Sequence, residues 1–184
     1  MTKSELRKKL KYMRDSIPDG KRSEFSKAIC DRITDLKQYK DVGTVLVFVS
    51  IGSEVETCGI ISDALKKEKT VGVPYISDGE MCFRKIISLS DLIPGKYNIP
   101  TADDNCTEIR NFDNCLCIIP CLSVDNDGYR LGYGGGYYDR FLAKNKNINT
   151  IAVCFDELLS TTLPHNEFDI KVSMVVTERK EKGV

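Results

Sequence analysis

What most constrains this chain is an alternation. Short uninterrupted runs of β-branched and other apolar residues are separated by stretches whose apolar residues recur every three or four positions. Thr44 to Ser50, Thr70 to Ile76, Leu116 to Pro120, Thr150 to Phe155 and Met174 to Thr177 are runs of the first kind, as expected of strands buried on both faces. Ile60, Ile61, Ala64 and Leu65 have helical spacing, and a helix is expected over about Tyr137 to Lys144. Parallel neighbours need crossover connections, so the order strand, helix, strand predicts an α/β fold. The expected architecture is a mostly parallel central sheet covered by helices on both faces, Rossmann-like and three-layered, with residues 1–184 forming a single domain.

Two helices are expected before the first strand. Leu6, Leu10, Met13 and Ile17 give one apolar stripe, on a helix that also carries Lys3, Arg7, Lys8, Lys9, Lys11 and Arg14; Pro18-Asp19-Gly20 is expected to end it as a turn. Phe25, Ala28, Ile29, Ile33 and Leu36 give the second stripe. Met81 to Ile87 reads as an outer strand, and the stretch containing Pro94, Gly95, Pro100 and Asp103-Asp104-Asn105 as irregular surface.

Composition narrows the function classes. Of 184 residues, 41% are hydrophobic, enough for one substantial core. Twenty-seven basic residues balance 27 acidic ones, so no overall field draws the chain to nucleic acid. No apolar run approaches the ~20 residues that span a bilayer, and Met1-Thr2-Lys3-Ser4-Glu5 leads into a charged helix, so neither a membrane partner nor export is expected and the cytoplasm is the expected address. The 8 cysteines are expected to be reduced. Cys115, Cys117 and Cys121 lack the C-x-x-C spacing of a zinc site and read as small buried hydrophobes. His165 is the only histidine, which argues against two-histidine metal sites and histidine-based nucleophile schemes.

The chemistry is expected in the segment from Pro120 to Phe141, which leaves a buried strand and enters a helix. Gly132, Gly134, Gly135 and Gly136 let backbone N–H groups approach an anion, and a phosphate is the natural guest. A solvated glycine turn is the bland alternative. Arg130 could neutralise phosphate, Asp139 could hold magnesium, and Tyr133, Tyr137 and Tyr138 add flat faces with hydroxyl donors. The spacing fits neither the dinucleotide fingerprint nor a P-loop.

Arg130-Leu131-Gly132-x-Gly134-x-Gly136-Tyr137-Tyr138-Asp139-Arg140-Phe141 resembles the signature of the 5-formyltetrahydrofolate cyclo-ligase family. The basic first helix, Phe48-Val49-Ser50 leading to Glu54-Val55-Glu56-Thr57, Val73-Pro74, and Leu163-Pro164 before Asp169 stand in the family's order, so the resemblance covers nearly the whole chain. It implies ATP- and magnesium-dependent conversion of 5-formyltetrahydrofolate to 5,10-methenyltetrahydrofolate. ATP contacts are implied for Lys3, Ser4, Glu5, Leu6 and Arg7, and for Arg130, Leu131, Gly132, Tyr133, Gly134, Gly135, Gly136, Tyr137 and Tyr138. The folate is implied to meet Arg7, Val49, Glu54 and the stretch Tyr133, Gly134, Gly135, Gly136, Tyr137. Arg7 and Arg130 are the implied catalytic cations, and Asp139 and Asp169 the implied magnesium ligands.

Without the resemblance, Lys3 and Arg7 read as a solvated helix face, Glu54 as a helix-start acid, and the two aspartates as helix-start or turn residues. Two departures from the family's pattern stand out: Gly135 occupies a place where many relatives carry Lys or another side chain, and Ser173 replaces an Asp four residues after Asp169. Either is expected to weaken ATP or metal binding. Two other classes stay open, a non-catalytic folate or nucleotide sensor and a sugar-phosphate isomerase or transferase on a related fold.

Overall fold

A computed structural model describes residues 1–95 and 99–184. Three helices come first, α1 (Lys3–Asp15), α2 (Asp19–Asp35) and α3 (Lys37–Asp41), followed by β1 (Thr44–Val47), α4 (Cys58–Lys66), β2 (Thr70–Ser77) and β3 (Glu80–Ile86). The middle of the chain forms short strands, β4 (Leu92–Pro94), β5 (Pro100–Ala102) and β6 (Glu108–Ile109). Then come β7 (Cys115–Pro120), β8 (Ser123–Val124), β9 (Arg130–Leu131), α5 (Tyr137–Lys144), β10 (Asn149–Val153), β11 (Met174–Val176) and β12 (Glu181–Gly183).

Eight strands form one sheet in the order β12-β11-β10-β7-β1-β2-β3-β6, and the run from β11 to β2 is parallel throughout. The antiparallel pairings are confined to the two sides, β11 with β12, β2 with β3, and β3 with β6. Period-two alternation sorts the strand residues between two cores. Val45, Val47, Leu116, Ile118, Ile151 and Val153 face a cluster shared with Leu10 of α1, Ile29 and Ile33 of α2, and Ile60, Ile61 and Ala64 of α4. Leu46, Cys117, Ile119 and Ala152 point the other way, against Phe141 and Leu142 of α5. Helices thus cover both faces of a mostly parallel sheet, as expected, but among the described residues one face carries four of them and the other only α5.

The chain path fixes where a ligand can enter. From β1 it passes through α4 to β2 on one side; from β7 it passes through α5 to β10 on the other. The order therefore reverses between β1 and β7, and the crevice beyond their carboxyl ends is the topological switch point at which open α/β sheets bind ligands.

Several local expectations are corrected. Pro18-Asp19-Gly20 is not a free turn: Pro18 occupies the N-cap of α2 and Asp19 is its first residue, because proline's fixed φ suits a helix start. Met13 is 37% exposed, whereas Arg14 beside it is 5% exposed and takes the inward place. The outer strand at Met81 to Ile87 is β3, but β6 pairs along its free side, so β3 is not the edge. The stretch after it is less irregular than expected, since β4 pairs with β5, and Ala102 is fully buried. β11 is followed by a further strand, β12, which pairs with it antiparallel and which no apolar run announced.

Candidate active site

The switch point is built by a hairpin and a glycine loop. Leaving β7, the chain forms the β8–β9 pair, whose turn is fixed by Asp125. This carboxylate is 4% exposed and accepts from the backbone N–H groups of Asp127 (3.0 Å), Tyr129 (2.9 Å) and Leu163 (2.9 Å). The hairpin delivers Arg130 and Leu131 to the loop Gly132–Gly136. Gly134 (φ 105°) and Gly136 (φ 65°) adopt conformations that L side chains resist, and Gly136 caps α5 without a side-chain oxygen for its first-turn N–H groups.

Helix α1 lies against this loop. Thr2 caps it, with Glu5 completing a capping box, so Glu5 has a structural duty and Ser4 is exposed. Leu6 packs against the core. Lys3, Arg7, Leu10 and Arg14 follow one another at steps of four, three and four, which puts them on one face. Arg7 donates from Nε to the Gly132 carbonyl at 2.8 Å, and its guanidinium carbon lies 3.5 Å from where a Cβ on Gly134 would stand. Arg14 donates from Nε to Ser53 Oγ at 3.0 Å and from Nη1 to the Tyr133 hydroxyl.

Glu54 and Tyr133 line a narrow cleft together with Arg14, Phe48 and Pro120. Burial pushes the Tyr133 phenol up; the Glu54 carboxylate adds to this, and Arg14 opposes it. Glu54 also accepts from the Ile51 N–H at 3.0 Å, which fixes the turn after β1. Val49 is buried in the first core cluster beside this turn.

The other flank of the loop holds the acids. Arg130, whose side chain is only 4% exposed, donates to Asp139 Oδ1 at 2.8 Å and to the Ile170 carbonyl at 2.6 Å. Asp139 Oδ1 also accepts from the Ile170 N–H at 3.0 Å. Lys3 bonds Asp169 Oδ2 at 2.5 Å, and the Asn166 N–H reaches the same oxygen at 2.6 Å. Burial alone would raise the Asp169 pKa; the hydrogen bonds from Lys3 and Asn166 and the charges of Lys3 and Arg130 outweigh it and hold the carboxyl below its ordinary value.

Among the described residues no group of three or more His, Cys, Asp or Glu gathers as an all-protein metal cage. The recorded bonds of Asp139 and Asp169 use one oxygen of each carboxylate and leave the other without a protein partner among the described residues. That donor set fits magnesium, which binds through one or two carboxylates and completes its shell with water and substrate phosphate.

The remaining expected residues differ in what they present. Leu131 is 2% exposed in the first core, so only its backbone faces the loop. The Tyr137 ring lies 4.9 Å from the Arg140 guanidinium. The Tyr138 hydroxyl is buried with no hydrogen-bond partner among the described residues. Gly135 has no room for a side chain as the loop stands, because a Cβ would meet the Tyr137 ring at 2.7 Å. Ser173 exchanges hydrogen bonds with Thr150 across β10 and β11.

Sequence reasoning missed Arg14, Ser53, Asp125 and Arg140, which donates to the Gly135 carbonyl at 2.9 Å. Arg14 was findable: it stands seven residues after Arg7, on the face of Leu10. The others follow only from tertiary contacts.

A family model described as the 5-formyltetrahydrofolate cyclo-ligase family matches residues 1–178. The chain is 30% identical to the 5-formyltetrahydrofolate cyclo-ligase of Mus musculus over 94% of its own length and 92% of the relative's. It is 26% identical to that of Escherichia coli K12, over 93% and 97%. The NMR structure of the Aquifex aeolicus 5,10-methenyltetrahydrofolate synthetase superposes with a TM-score of 0.89 at 28% identity, covering 100% of this chain and 93% of that one. With the glycine loop at the switch point, the basic face of α1 against it, and a match along almost the whole sequence, the chain belongs to the 5-formyltetrahydrofolate cyclo-ligase family.

Proposed function

We propose that this enzyme closes 5-formyltetrahydrofolate to 5,10-methenyltetrahydrofolate, with ATP converted to ADP and phosphate. The observation that carries the reading is Arg7, tied by Nε to the loop carbonyl of Gly132 while its guanidinium lies beside Gly134. A cation held against a glycine-rich loop suits a triphosphate.

The chemical problem is the formyl amide, whose oxygen is too poor a leaving group to depart unaided. The formyl oxygen attacks the γ-phosphorus and ADP leaves. Nitrogen 10 adds to the activated carbon and loses its proton, and phosphate departs with the original oxygen. No enzyme nucleophile is needed, so the protein's contribution is alignment and charge stabilisation.

In this reading Lys3 to Arg7 and Arg130 to Tyr138 line the nucleotide site, with Arg7 nearest the transferred group. Arg130 acts through Asp139, which it orients. Glu54 accepts hydrogen bonds from the pterin, beside Val49 and Tyr133. Asp139 and Asp169 would hold magnesium through their open oxygens, and the ion would draw charge from the phosphates. All eight cysteines are free, which supports a reducing, cytoplasmic setting.

The test is ADP and methenyl-folate formation by the purified protein with 5-formyltetrahydrofolate and magnesium-ATP, beside Arg7→Ala and Asp139→Ala. Equal yields of both products, sensitive to both substitutions, are expected. Folded protein that binds both ligands and yields no ADP would instead make it a sensor.

A further inference from the structure

Two cysteines stand beneath the cleft, with their side chains turned to the α5 side of the sheet. Cys121 follows the last residue of β7, and Cys154 follows the last residue of β10. These strands are parallel and register Pro120 against Val153, so the two cysteines stand opposite one another, one step beyond the ladder. Adjacent strands run about 4.8 Å apart, inside the roughly 4.4–6.8 Å between Cα atoms that a disulfide requires. Both side chains belong to the core on the α5 side of the sheet. The Cys121 thiol donates to the carbonyl of Val153, the residue before Cys154, at 3.4 Å. Both are free thiols, and both line the cleft that holds Glu54 and Tyr133.

We propose that Cys121 and Cys154 form a redox-modifiable pair, which a hydroperoxide converts to a disulfide that switches the active site off. Cys121 is the more exposed of the two, at 5% against 2%, and is taken as the attacking sulfur, while its neighbour and burial push the Cys154 thiol up. Its thiolate takes the terminal peroxide oxygen, the O–O bond breaks, and the leaving oxygen departs as water or, for an alkyl peroxide, an alcohol. The Cys154 sulfur then displaces water from the Cys121 sulfenic acid, and its proton leaves with that water. Two thiols are oxidised by two electrons and one peroxide is reduced by two.

The crosslink would act on the site through its two neighbours in the chain. Cys121 leads into the β8–β9 hairpin that carries Arg130 and the glycine loop. Cys154 leads into Phe155 and the turn at Asp156–Leu158, against which α1 packs. Replacing a sulfur contact by a bond of about 2 Å draws these two supports together. Cys115 and Cys117 provide an internal control, since they are also buried on β7 but neither lines the cleft.

The experiment treats the full, reduced protein with stoichiometric hydrogen peroxide, traps remaining thiols by alkylation and maps the peptides by mass spectrometry. Turnover is followed before treatment, after it, and after dithiothreitol. The expected result is a linked Cys121–Cys154 peptide, Cys115 and Cys117 still alkylated, and turnover reduced about tenfold to a hundredfold, as small displacements of positioned groups bring, then restored by reductant. Recovery of Cys121 and Cys154 as alkylated thiols after treatment would overturn the proposal. So would a linked peptide with unchanged turnover. A Cys121→Ser protein inactivated reversibly to the same extent would also overturn it; if that variant does not fold, the peptide map of the unsubstituted protein decides. The map requires neither folate nor ATP, so its failure is distinct from failure of the cyclo-ligase reading.

Discussion

The two flanks of the glycine loop treat their cations in opposite ways. On one flank Lys3 and Arg130 are bonded directly to carboxylates, those of Asp169 and Asp139. On the other, Arg7 and Arg14 donate to neutral oxygens, the Gly132 carbonyl, Ser53 Oγ and the Tyr133 hydroxyl. A cation already matched by an acid has its field largely cancelled, while one held by neutral acceptors keeps its charge for an incoming anion. The paired flank is a scaffold that also carries open carboxylate oxygens, and the unpaired flank is where a transferring phosphoryl group gains most.

The largest effect should therefore come from the unpaired flank. Arg7→Ala is expected to lower kcat/KM by about 10²- to 10³-fold, as loss of one charge-stabilising donor does in other enzymes, with little change in melting temperature. Lys3→Ala measured in parallel should lose clearly less. Equal losses would break the comparison, because a paired cation would then serve the anion as well as an unpaired one.

Asp139→Asn probes the scaffold flank and should show the reverse signature. It leaves the nearly buried Arg130 guanidinium without its carboxylate, and a charge-assisted hydrogen bond is worth about 1.5 to 3 kcal/mol. Denaturant unfolding should register that loss, and the magnesium concentration needed for half-maximal turnover should rise. A variant of unchanged stability would remove Arg130–Asp139 from the scaffold.

Between the flanks lies Gly136. Alanine there must hold φ near 65°, and its Cβ would come within 2.9 Å of Arg140 Nη1. The left-handed conformation costs about 1–2 kcal/mol for an L residue, so Gly136→Ala should lose about 1 kcal/mol or a little more in unfolding free energy. Gly20→Ala, in the open on α2, is the control and should be neutral or stabilising.

The same contrast explains what the sequence made legible. The strand runs, the helix over Tyr137 to Lys144 and the glycine loop depend on local pattern and on backbone chemistry, and they appear where expected. The basic face of α1 was visible only as charge. Its division into cations that find acids and cations that find neutral oxygens depends on Asp169 and Gly132, which lie more than a hundred residues away in sequence. Arg14 was misplaced because Met13 is the more apolar residue, yet Ser53 and Tyr133 reward the guanidinium with hydrogen bonds that a thioether cannot make. Asp125 carries no signal of its own in the sequence, although three N–H groups from two separate segments converge on it.

The smallest predicted effect is a pH dependence at the edge of the scaffold flank. Asp169 has a folded pKa held below its ordinary value of 3.8, so its pairing with Lys3 contributes stability above that value and loses it as pH falls through the folded pKa. Both side chains are partly exposed, 27% and 20%, and such pairs are worth under about 1 kcal/mol. In a protein of this size that corresponds to a melting shift of roughly 2–4 °C at most. Asp169→Asn should therefore melt slightly below the unsubstituted protein at neutral pH, with the gap closing in acid below the ordinary carboxylate range and narrowing in high salt. A gap that persists in acid would mean that Asp169 contributes through its Asn166 turn and not through Lys3, and the pairing on that flank would then be a consequence of the fold, not one of its supports.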